Sequence, residues 1–169
     1  MTGWTLRLAR AEDAEAMPAV ERAAAAVFAD AAALDGFDFD HTWPPTDLAR
    51  FIRRGHCLVV HVGEALAGFL VNEPFGRELH IWEMSVAPAF QRRRIGSGLM
   101  RACMIDARNA GFAALTLTTF RDVPWNGPFY ARLGFGEATD HPRLGQTLAE
   151  EAARGLPAER RCAMRLALD

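Results

Sequence analysis

The junction between residues 86 and 98 constrains the fold of this chain more than any other segment. Upstream, Glu78–Val86 is a short apolar run typical of a strand, and downstream Ile95–Ala110 repeats apolar residues at helical spacing. A second, β-branched strand pattern follows at Ala114–Thr119. A strand, a helix and a strand in succession indicate an α/β domain.

Strand and hairpin patterns dominate the other segments. We predict strands at Thr5–Arg10, Cys57–Val62, Ala65–Val71, Phe135–Thr139 and Cys162–Leu168, with a turn at Glu73–Arg77. We predict helices at Asp13–Ala29, from a cap at Thr46 or Asp47 to Gly55, at Pro128–Leu133 and at Thr147–Arg154. Pro18 either kinks the first helix or marks a later start. These elements favour one domain, 1–169, with a single mixed, largely antiparallel sheet flanked by helices.

Composition narrows the classes of function. Half of the 169 residues are hydrophobic, and the formal net charge of -2 gives no overall attraction to nucleic acid or to an anionic membrane. Cys57, Cys103 and Cys162 lack the paired spacing of a zinc site or a disulfide framework, so we expect reduced core thiols and no metal. No apolar run reaches the ~20 residues of a membrane span, and no signal peptide is evident. We therefore expect a cytoplasmic protein.

The junction has the features of a phosphate-binding turn. The first N–H groups of a helix have no partner within the helix, and the helix dipole adds partial positive charge there. Gly96 and Gly98 leave the backbone open to a ligand, and Arg92–Arg94 add three positive charges. An arginine run alone is more often a solvated loop, but its position at a glycine-bearing turn favours anion binding. The glycine spacing fits neither a dinucleotide-binding fingerprint nor a Walker A loop.

Two motifs resemble the GNAT superfamily of acyl-CoA-dependent N-acyltransferases. The run Val86-x-Pro88-x-x-Gln91-Arg-Arg-Arg94-Ile95-Gly96-Ser97-Gly98 resembles the acetyl-CoA loop, and Phe129-Tyr130-Ala-Arg-Leu133-Gly134-Phe135 resembles the late F-Y-x-x-L-G-F signature. Arg94 stands where the family usually has a glycine. The resemblance implies a GNAT fold in which the parallel strands 78–86 and 114–119 splay around the pantetheine arm. It also implies an acetyl-CoA core at 78–135 and a helical insert at 140–159.

The resemblance implies roles for individual residues. Acetyl-CoA is the implied acyl donor, and its implied contacts lie at the strand end, in the loop and near the late helix: Met84, Ser85, Val86, Gln91, Arg92, Arg93, Arg94, Ile95, Gly96, Ser97, Asn126 and Phe129. Tyr130, the only tyrosine, matches the family tyrosine that protonates the leaving thiolate. Asn126 lies closer to this tyrosine than the family asparagine does, so a helix cap is the alternative.

Glu83 is the predicted general base. A carboxylate inside an apolar strand is seldom without a function or a partner, and it can take the acceptor's ammonium proton directly or through water. The alternatives are a salt bridge or an exposed edge position. His80 is the second candidate, although the two-residue period of a strand puts it on the opposite face unless a bulge intervenes.

The predicted acceptor is a primary amine, and a small cationic amine is favoured over a protein amine. The segment between the first two helices interleaves acids with aromatics at Asp35, Phe37, Asp38, Phe39, Asp40 and Trp43. This composition suits a cation, although an acidic solvent-facing loop has it too. The insert, with Arg143, Glu150, Glu151 and Arg154, is a candidate wall of the acceptor site.

Two other functions remain compatible with the sequence. A non-catalytic acyl-CoA-binding module would share the turn without needing Glu83 or Tyr130. An enzyme of another class, such as an NAD-dependent oxidoreductase, would use the turn for a different nucleotide. Many members of the superfamily form homodimers, and no feature of the sequence decides whether this chain does.

Overall fold

The structure, a computed structural model, describes residues 3–29 and 41–168. The predicted acceptor residues Asp35–Asp40 lie outside these ranges, whereas Trp43 lies inside them. Within the described ranges, none of the helices combines the length and the apolar character that a membrane span requires.

One mixed sheet contains the seven strands of the described residues. In chain order they are β1 (Thr5–Leu8), β2 (Leu58–Val62), β3 (Ala65–Phe75), β4 (Glu78–Val86), β5 (Ala114–Phe120), β6 (Gly136–Glu137) and β7 (Arg161–Ala167). Their order across the sheet is β1-β2-β3-β4-β5-β7-β6. Strands β4 and β5 are parallel, and the pairs β1–β2, β2–β3, β5–β7 and β6–β7 are antiparallel. The predicted mixed, largely antiparallel sheet is confirmed.

Five α-helices lie between the strands of the described residues. They are α1 (Met17–Ala29), α2 (Pro45–Ile52), α3 (Ile95–Asn109), α4 (Gly127–Arg132) and α5 (Pro142–Ala153). Short 3₁₀ turns occupy Ala11–Glu15, Pro88–Phe90 and Ala158–Arg160.

The chain divides into two units, of which the first comprises Met1–Glu73 and Trp82–Asp106. It contains the antiparallel ladders of β1 with β2 and of β2 with β3. Helices α1 and α2 bury their apolar faces in its core, which includes Met17, Leu48, Phe51, Val59 and Phe69. This core holds α1 and the second half of β4 in fixed places, so it determines where their polar side chains lie.

The second unit comprises Pro74–Ile81 and Ala107–Asp169. In it, β4 pairs with β5 from Glu78↔Ala114 to Ile81↔Leu117, and β5 pairs along its whole length with β7. Both strands of the parallel pair extend beyond the pair Ile81↔Leu117, β4 to Val86 and β5 to Phe120. Six of the seven residues of β5 are buried, as expected of a strand covered on both faces.

The glycine at the end of α3 acts as predicted. Gly111 adopts φ 83°, and the N–H of Phe112 donates to the Ala107 carbonyl at 3.0 Å. This is the hydrogen bond of a Schellman ending, in which glycine takes the left-handed conformation at no steric cost.

Several predicted boundaries are wrong. Helix α2 begins at Pro45, and no side chain caps it, so neither Thr46 nor Asp47 is the cap. Strand β3 continues to Phe75, which shortens the predicted turn to the two residues before β4. Helix α5 begins at Pro142 rather than Thr147, because the His141 side chain accepts a hydrogen bond from the N–H of Leu144. Pro18 lies in the first turn of α1, where a backbone N–H would have no partner within the helix, so proline costs no hydrogen bond there.

Candidate active site

Two side-chain hydrogen bonds hold the turn between β4 and α3. The Gln91 side-chain amide donates to the Val86 carbonyl at 3.1 Å. The Trp4 indole N–H donates to the Arg93 carbonyl, also at 3.1 Å. The turn is thereby fixed to the strand that precedes it and to the N-terminal segment.

The arginines of the turn have an unusual backbone. Arg92 and Arg94 both adopt φ 62°, the left-handed region, and Arg92–Arg94 are all exposed. A non-glycine residue in this region costs about 1 kcal/mol. Arg94 therefore reproduces the backbone conformation that the usual glycine would adopt, and it adds a positive charge that glycine would not.

The first N–H groups of α3 are free of side-chain caps. The first hydrogen bond of the helix runs from the N–H of Gly98 to the Arg94 carbonyl at 2.9 Å. Within residues 3–29 and 41–168, no hydrogen bond joins a side chain to the N–H groups of Ile95, Gly96 or Ser97. These donors, the helix dipole and the exposed arginines together favour an anion.

The two glycines at the start of α3 have different reasons for being glycine. A Cβ atom at Gly96 would approach only the Met84 side chain, at an ordinary 3.9 Å, so protein packing does not require a glycine there. A Cβ atom at Gly98 would lie 2.7 Å from the Trp4 ring. The lack of a side chain at Gly98 therefore makes room for Trp4, a packing role that the sequence did not predict.

The end of β4 is packed closely against β3. A Cβ atom at Gly68 would lie 2.9 Å from the Ser85 carbonyl oxygen, and the N–H of Ala87 donates to the Ala67 carbonyl at 2.9 Å. Ser85 is buried, and its hydroxyl donates to Glu83 Oε1 at 2.8 Å. The half-buried carboxylate of Glu83 is thus oriented by its neighbour on the same strand.

A second carboxyl group interacts with Glu83. Glu21 of α1 is 8% exposed, and its Oε2 accepts a hydrogen bond from the N–H of Trp43 at 3.1 Å. Burial, followed by the negative charge of Glu83, raises the pKa of Glu21 to about 8. At neutral pH Glu21 is therefore mainly protonated.

Trp43, whose backbone N–H bonds Glu21, belongs to a cluster of aromatic side chains. The Trp43 ring lies 5.2 Å from the Phe51 ring and 5.9 Å from the Trp82 ring, measured between centroids. The Trp82 indole donates to Glu73 Oε2 at 3.0 Å. Half-buried Trp43 and Trp82 therefore have fixed orientations.

Glu21 was not predicted from the sequence. The available signal was helical spacing, because Glu21 follows buried Met17 by four residues and so lies on the same face of the helix. A carboxylate at such a position needs a partner or a proton.

The second unit positions the predicted acid. Tyr130 of α4 is half-buried, with its ring 5.2 Å from the Phe129 ring and 5.8 Å from the Phe135 ring. Asn126 Oδ1 accepts a hydrogen bond from the Thr119 hydroxyl at 2.7 Å. Asn126 occupies the N-cap position of α4, but its side chain makes no capping bond, so the alternative role as a helix cap is wrong.

A model of the acetyltransferase (GNAT) family matches residues 25–135, which is more than half of the chain. The chain belongs to the GNAT family of acetyltransferases. The matched span includes the turn between β4 and α3, the partner strands β4 and β5, and the whole of α4.

Solved GNAT structures share this fold. The PaiA N-acetyltransferase of Thermoplasma acidophilum, solved with coenzyme A, is 16% identical and has a TM-score of 0.75, covering 98% of this chain and 99% of that chain. The ribosomal-protein-S18-alanine N-acetyltransferase of Escherichia coli is 18% identical, with a TM-score of 0.70 and coverage of 99% and 95%. A GNAT acetyltransferase of Brucella melitensis, solved with acetyl-CoA, is 20% identical, with a TM-score of 0.59 and coverage of 80% and 84%.

The predicted site residues of this GNAT chain fall into two groups. Met84–Val86, Gln91–Ser97 and Glu83 occupy consecutive segments of the first unit. Asn126, with Phe129 and Tyr130, belongs to the second unit. Their individual roles stay predictions.

His80 is a poor base in this environment. It is fully buried, and its Nδ1 lies 2.9 Å from the Thr116 hydroxyl. Burial, followed by the positive charge of Arg143, lowers its pKa to about 3. An imidazole with this pKa binds a proton weakly at neutral pH, which favours Glu83 as the base.

Side chains of the insert form ion pairs with strands of the second unit. The Glu78 carboxylate accepts hydrogen bonds from His141 at 2.9 Å, from Arg143 at 3.2 Å and from Arg165 at 2.9 Å. Buried Glu151 accepts a hydrogen bond from the Thr118 hydroxyl at 2.6 Å, and its other oxygen pairs with Arg161. These contacts attach α5 to the sheet of the second unit. The role of the insert as an acceptor wall stays a prediction.

Glu21→Gln should change how stability depends on pH. The folded pKa of Glu21, about 8, lies above its ordinary value of 4.5, so between these values the folded state binds more protons than the unfolded state. Wild-type stability therefore falls as pH rises through this window, by at most about 1.4 kcal/mol per pH unit. Glutamine can still accept from the N–H of Trp43. The variant should gain stability relative to wild type from pH 5 to 8 in urea unfolding.

Glu15→Gln is the matched control, because Glu15 is exposed just before α1. The difference in unfolding free energy between this variant and the wild type should not change with pH over the same range. If the difference in unfolding free energy between Glu21→Gln and the wild type is also independent of pH, the raised pKa of Glu21 is contradicted.

Proposed function

We propose that the protein is an N-acetyltransferase that moves the acetyl group of acetyl-CoA to a primary amine by direct attack in a ternary complex. The observation that carries this proposal is the set of uncapped N–H groups at Ile95–Ser97, beside three exposed arginines. This arrangement suits a diphosphate, since it supplies several donors and positive charge at one helix end. Two structural neighbours solved with coenzyme A or acetyl-CoA support the choice of donor.

In the proposed complex, the turn binds the phosphates and the end of β4 binds the acyl arm. The N–H groups of Ile95, Gly96 and Ser97 would donate to the diphosphate, with Arg92–Arg94 adding charge. The Gln91 side chain, already bonded to Val86, would hold the turn in shape. We assign the backbone of Met84–Val86 to the pantetheine arm and the thioester.

We assign the proton transfers to two side chains. Glu83 takes a proton from the acceptor ammonium, so that the neutral amine can attack the thioester carbonyl and form a new C–N bond. As the C–S bond breaks, Tyr130 donates its hydroxyl proton to the thiolate, and the nitrogen of the new amide loses its second proton to solvent. Solvent then restores the proton of Tyr130 and takes the one held by Glu83. Asn126 and Phe129 are assigned to the cofactor side of this reaction.

The proposed acceptor is a small cationic amine. Glu83 provides negative charge at this part of the first unit, and half-buried Trp43 and Trp82 provide aromatic surface. Carboxylates and indole faces both attract cations. Free thiol should appear when acetyl-CoA is mixed with an amine panel of alkylamines, diamines and peptide amino termini. Binding of acetyl-CoA without thiol release from any member would favour the non-catalytic module.

Gly96→Asp should abolish binding of acetyl-CoA. The new carboxylate would occupy the space in front of the helix amides and repel phosphate. Acetyl-CoA should raise the melting temperature of the wild type, whereas NAD should not.

Gly145→Asp is the matched control, because Gly145 is exposed on α5 and a Cβ atom there meets nothing within 4 Å. This variant should retain the melting shift with acetyl-CoA. A Gly96→Asp variant that keeps the full shift would place the phosphates elsewhere.

Glu83→Gln should lower kcat/KM for the acceptor by about 100-fold or more, the usual contribution of a general base. The loss should be greatest at low pH, where more of the acceptor amine is protonated. A rate–pH profile with the wild-type shape and height would remove Glu83 as the base.

Tyr130→Phe should lower kcat more than it weakens acetyl-CoA binding, because phenylalanine keeps the ring contacts with Phe129 and Phe135 but loses the proton donor. Steady-state rates and a binding titration separate the two quantities. Equal turnover of the variant and the wild type would exclude the role as an acid.

A further inference from the structure

The backbone of Asn126 is fixed near the end of β5. Its N–H donates to the Val123 carbonyl at 2.9 Å, and its own carbonyl accepts from the N–H of Tyr130 at 3.0 Å. A Cβ atom at the next residue, Gly127, would lie 2.7 Å from the Arg121 carbonyl oxygen, so α4 starts closely packed on the backbone that follows β5. Asn126 therefore joins the end of this strand to the helix that carries the proposed acid.

The side chain of Asn126 is held by one residue of β5. Thr119 is 2% exposed, and its hydroxyl donates to Asn126 Oδ1 at 2.7 Å. The preceding residue, Thr118, points to the other face of the sheet, where its hydroxyl donates to Glu151 of the insert at 2.6 Å. Of these two neighbouring threonines, Thr119 is thus the one that orients Asn126.

The bond from Thr119 decides which end of the Asn126 amide is available to a ligand. An asparagine side chain has an acceptor oxygen and a donor NH₂ group. The oxygen already accepts from Thr119, and among the residues that the structure describes no hydrogen bond from Nδ2 is found. Because Asn126 is half-buried, part of its surface is open to a ligand. The side chain therefore offers a hydrogen-bond donor in a fixed orientation.

We propose that Thr119 is a positioning residue for acetyl-CoA: its hydroxyl orients the Asn126 amide so that Nδ2 donates to an amide carbonyl of the pantetheine arm. This inference rests on the proposed function, because it specifies the cofactor contact that was assigned to Asn126. The amide carbonyls of the pantetheine arm accept hydrogen bonds, and in a partly buried place an unmet donor or acceptor is unfavourable. If the Asn126 amide were turned around, two oxygens would face each other instead.

The first test is titration of the protein with acetyl-CoA in the absence of any amine. Thr119→Val keeps the branched shape of the side chain but lacks the hydroxyl, so the Kd of acetyl-CoA should rise about three- to tenfold, the usual effect of one hydrogen bond. Thr119→Ser keeps the hydroxyl and should stay within about twofold of the wild type. Unchanged affinity in Thr119→Val, or equal losses in the two variants, would overturn the inference.

Thr139→Val is the matched control for loss of a threonine hydroxyl, because Thr139 is exposed and belongs to the same unit. It should bind acetyl-CoA with the affinity of the wild type. A loss in this variant as large as that in Thr119→Val would contradict a specific role for Thr119.

Asn126→Asp tests whether Asn126 acts as a donor. Aspartate keeps an oxygen that accepts from Thr119, so it preserves the contact within the protein, but it lacks the NH₂ group. The Kd of acetyl-CoA should rise about tenfold or more. Binding of S-acetylpantetheine, which has no phosphate, should weaken as well, and this excludes repulsion between the new carboxylate and phosphate as the cause. Wild-type affinity in Asn126→Asp would show that Asn126 only accepts from Thr119, against the inference.

A double variant tests whether the two residues act together. Once Asn126→Ala has removed the amide, the Thr119 hydroxyl has nothing to orient, so Thr119→Val should add little further loss of affinity. Fully additive losses would contradict the inference. Thiol release by the wild type, with unchanged affinity in Thr119→Val, would overturn the inference and leave the proposed function standing. Weaker binding in Thr119→Val, without thiol release from any amine by the wild type, would support the inference and overturn the proposed enzyme activity.

Discussion

The uncapped N–H groups at the start of α3 are the feature on which the rest of the candidate site depends. The backbone that leads into Ile95–Ser97 adopts left-handed conformations at Arg92 and Arg94, which cost free energy. The hydrogen bond from Trp4 to the Arg93 carbonyl stabilises this path. The shape of the turn is thus held by contacts within the protein, from Trp4 to Arg93 and from Gln91 to Val86.

Local patterns in the sequence were sufficient to predict most of the fold. The bounds of β4, α3 and β5 differ from the structure by at most one residue, because residue periodicity and a terminating glycine determine them. The start of α5 could not be predicted in this way. It depends on His141, which caps the helix and also contacts Glu78, a residue 63 positions earlier in the chain. Contacts at such separation leave no periodic pattern.

The candidate site also combines features that are local in the sequence with features that depend on distant residues. The anion-binding turn is contiguous in sequence, so its glycine and arginines could be recognised together. The packing role of Gly98 could not be predicted, because the ring that leaves no room for a side chain there belongs to Trp4, far away in the chain. Glu21 was missed because its burial and its coupling depend on Trp43 and on Glu83, which come from two other segments. Residue type and spacing predict the chemistry of one segment, whereas tertiary packing decides which segments act together.

Arg94 and Glu21 both occupy positions that local conditions disfavour. Arg94 places a cation on left-handed backbone, and Glu21 places a carboxyl group beside another one in a largely buried position. For folding alone, glycine and glutamine would be the more favourable choices at these two positions. Such departures from local preference typically occur where function requires them. In the proposed mechanism, Glu21 would add an uncharged carboxyl group to the unit that holds Glu83. Arg94 would strengthen the attraction of the turn for phosphate, so its backbone cost would fall where the proposed acyl donor supplies the opposite charge.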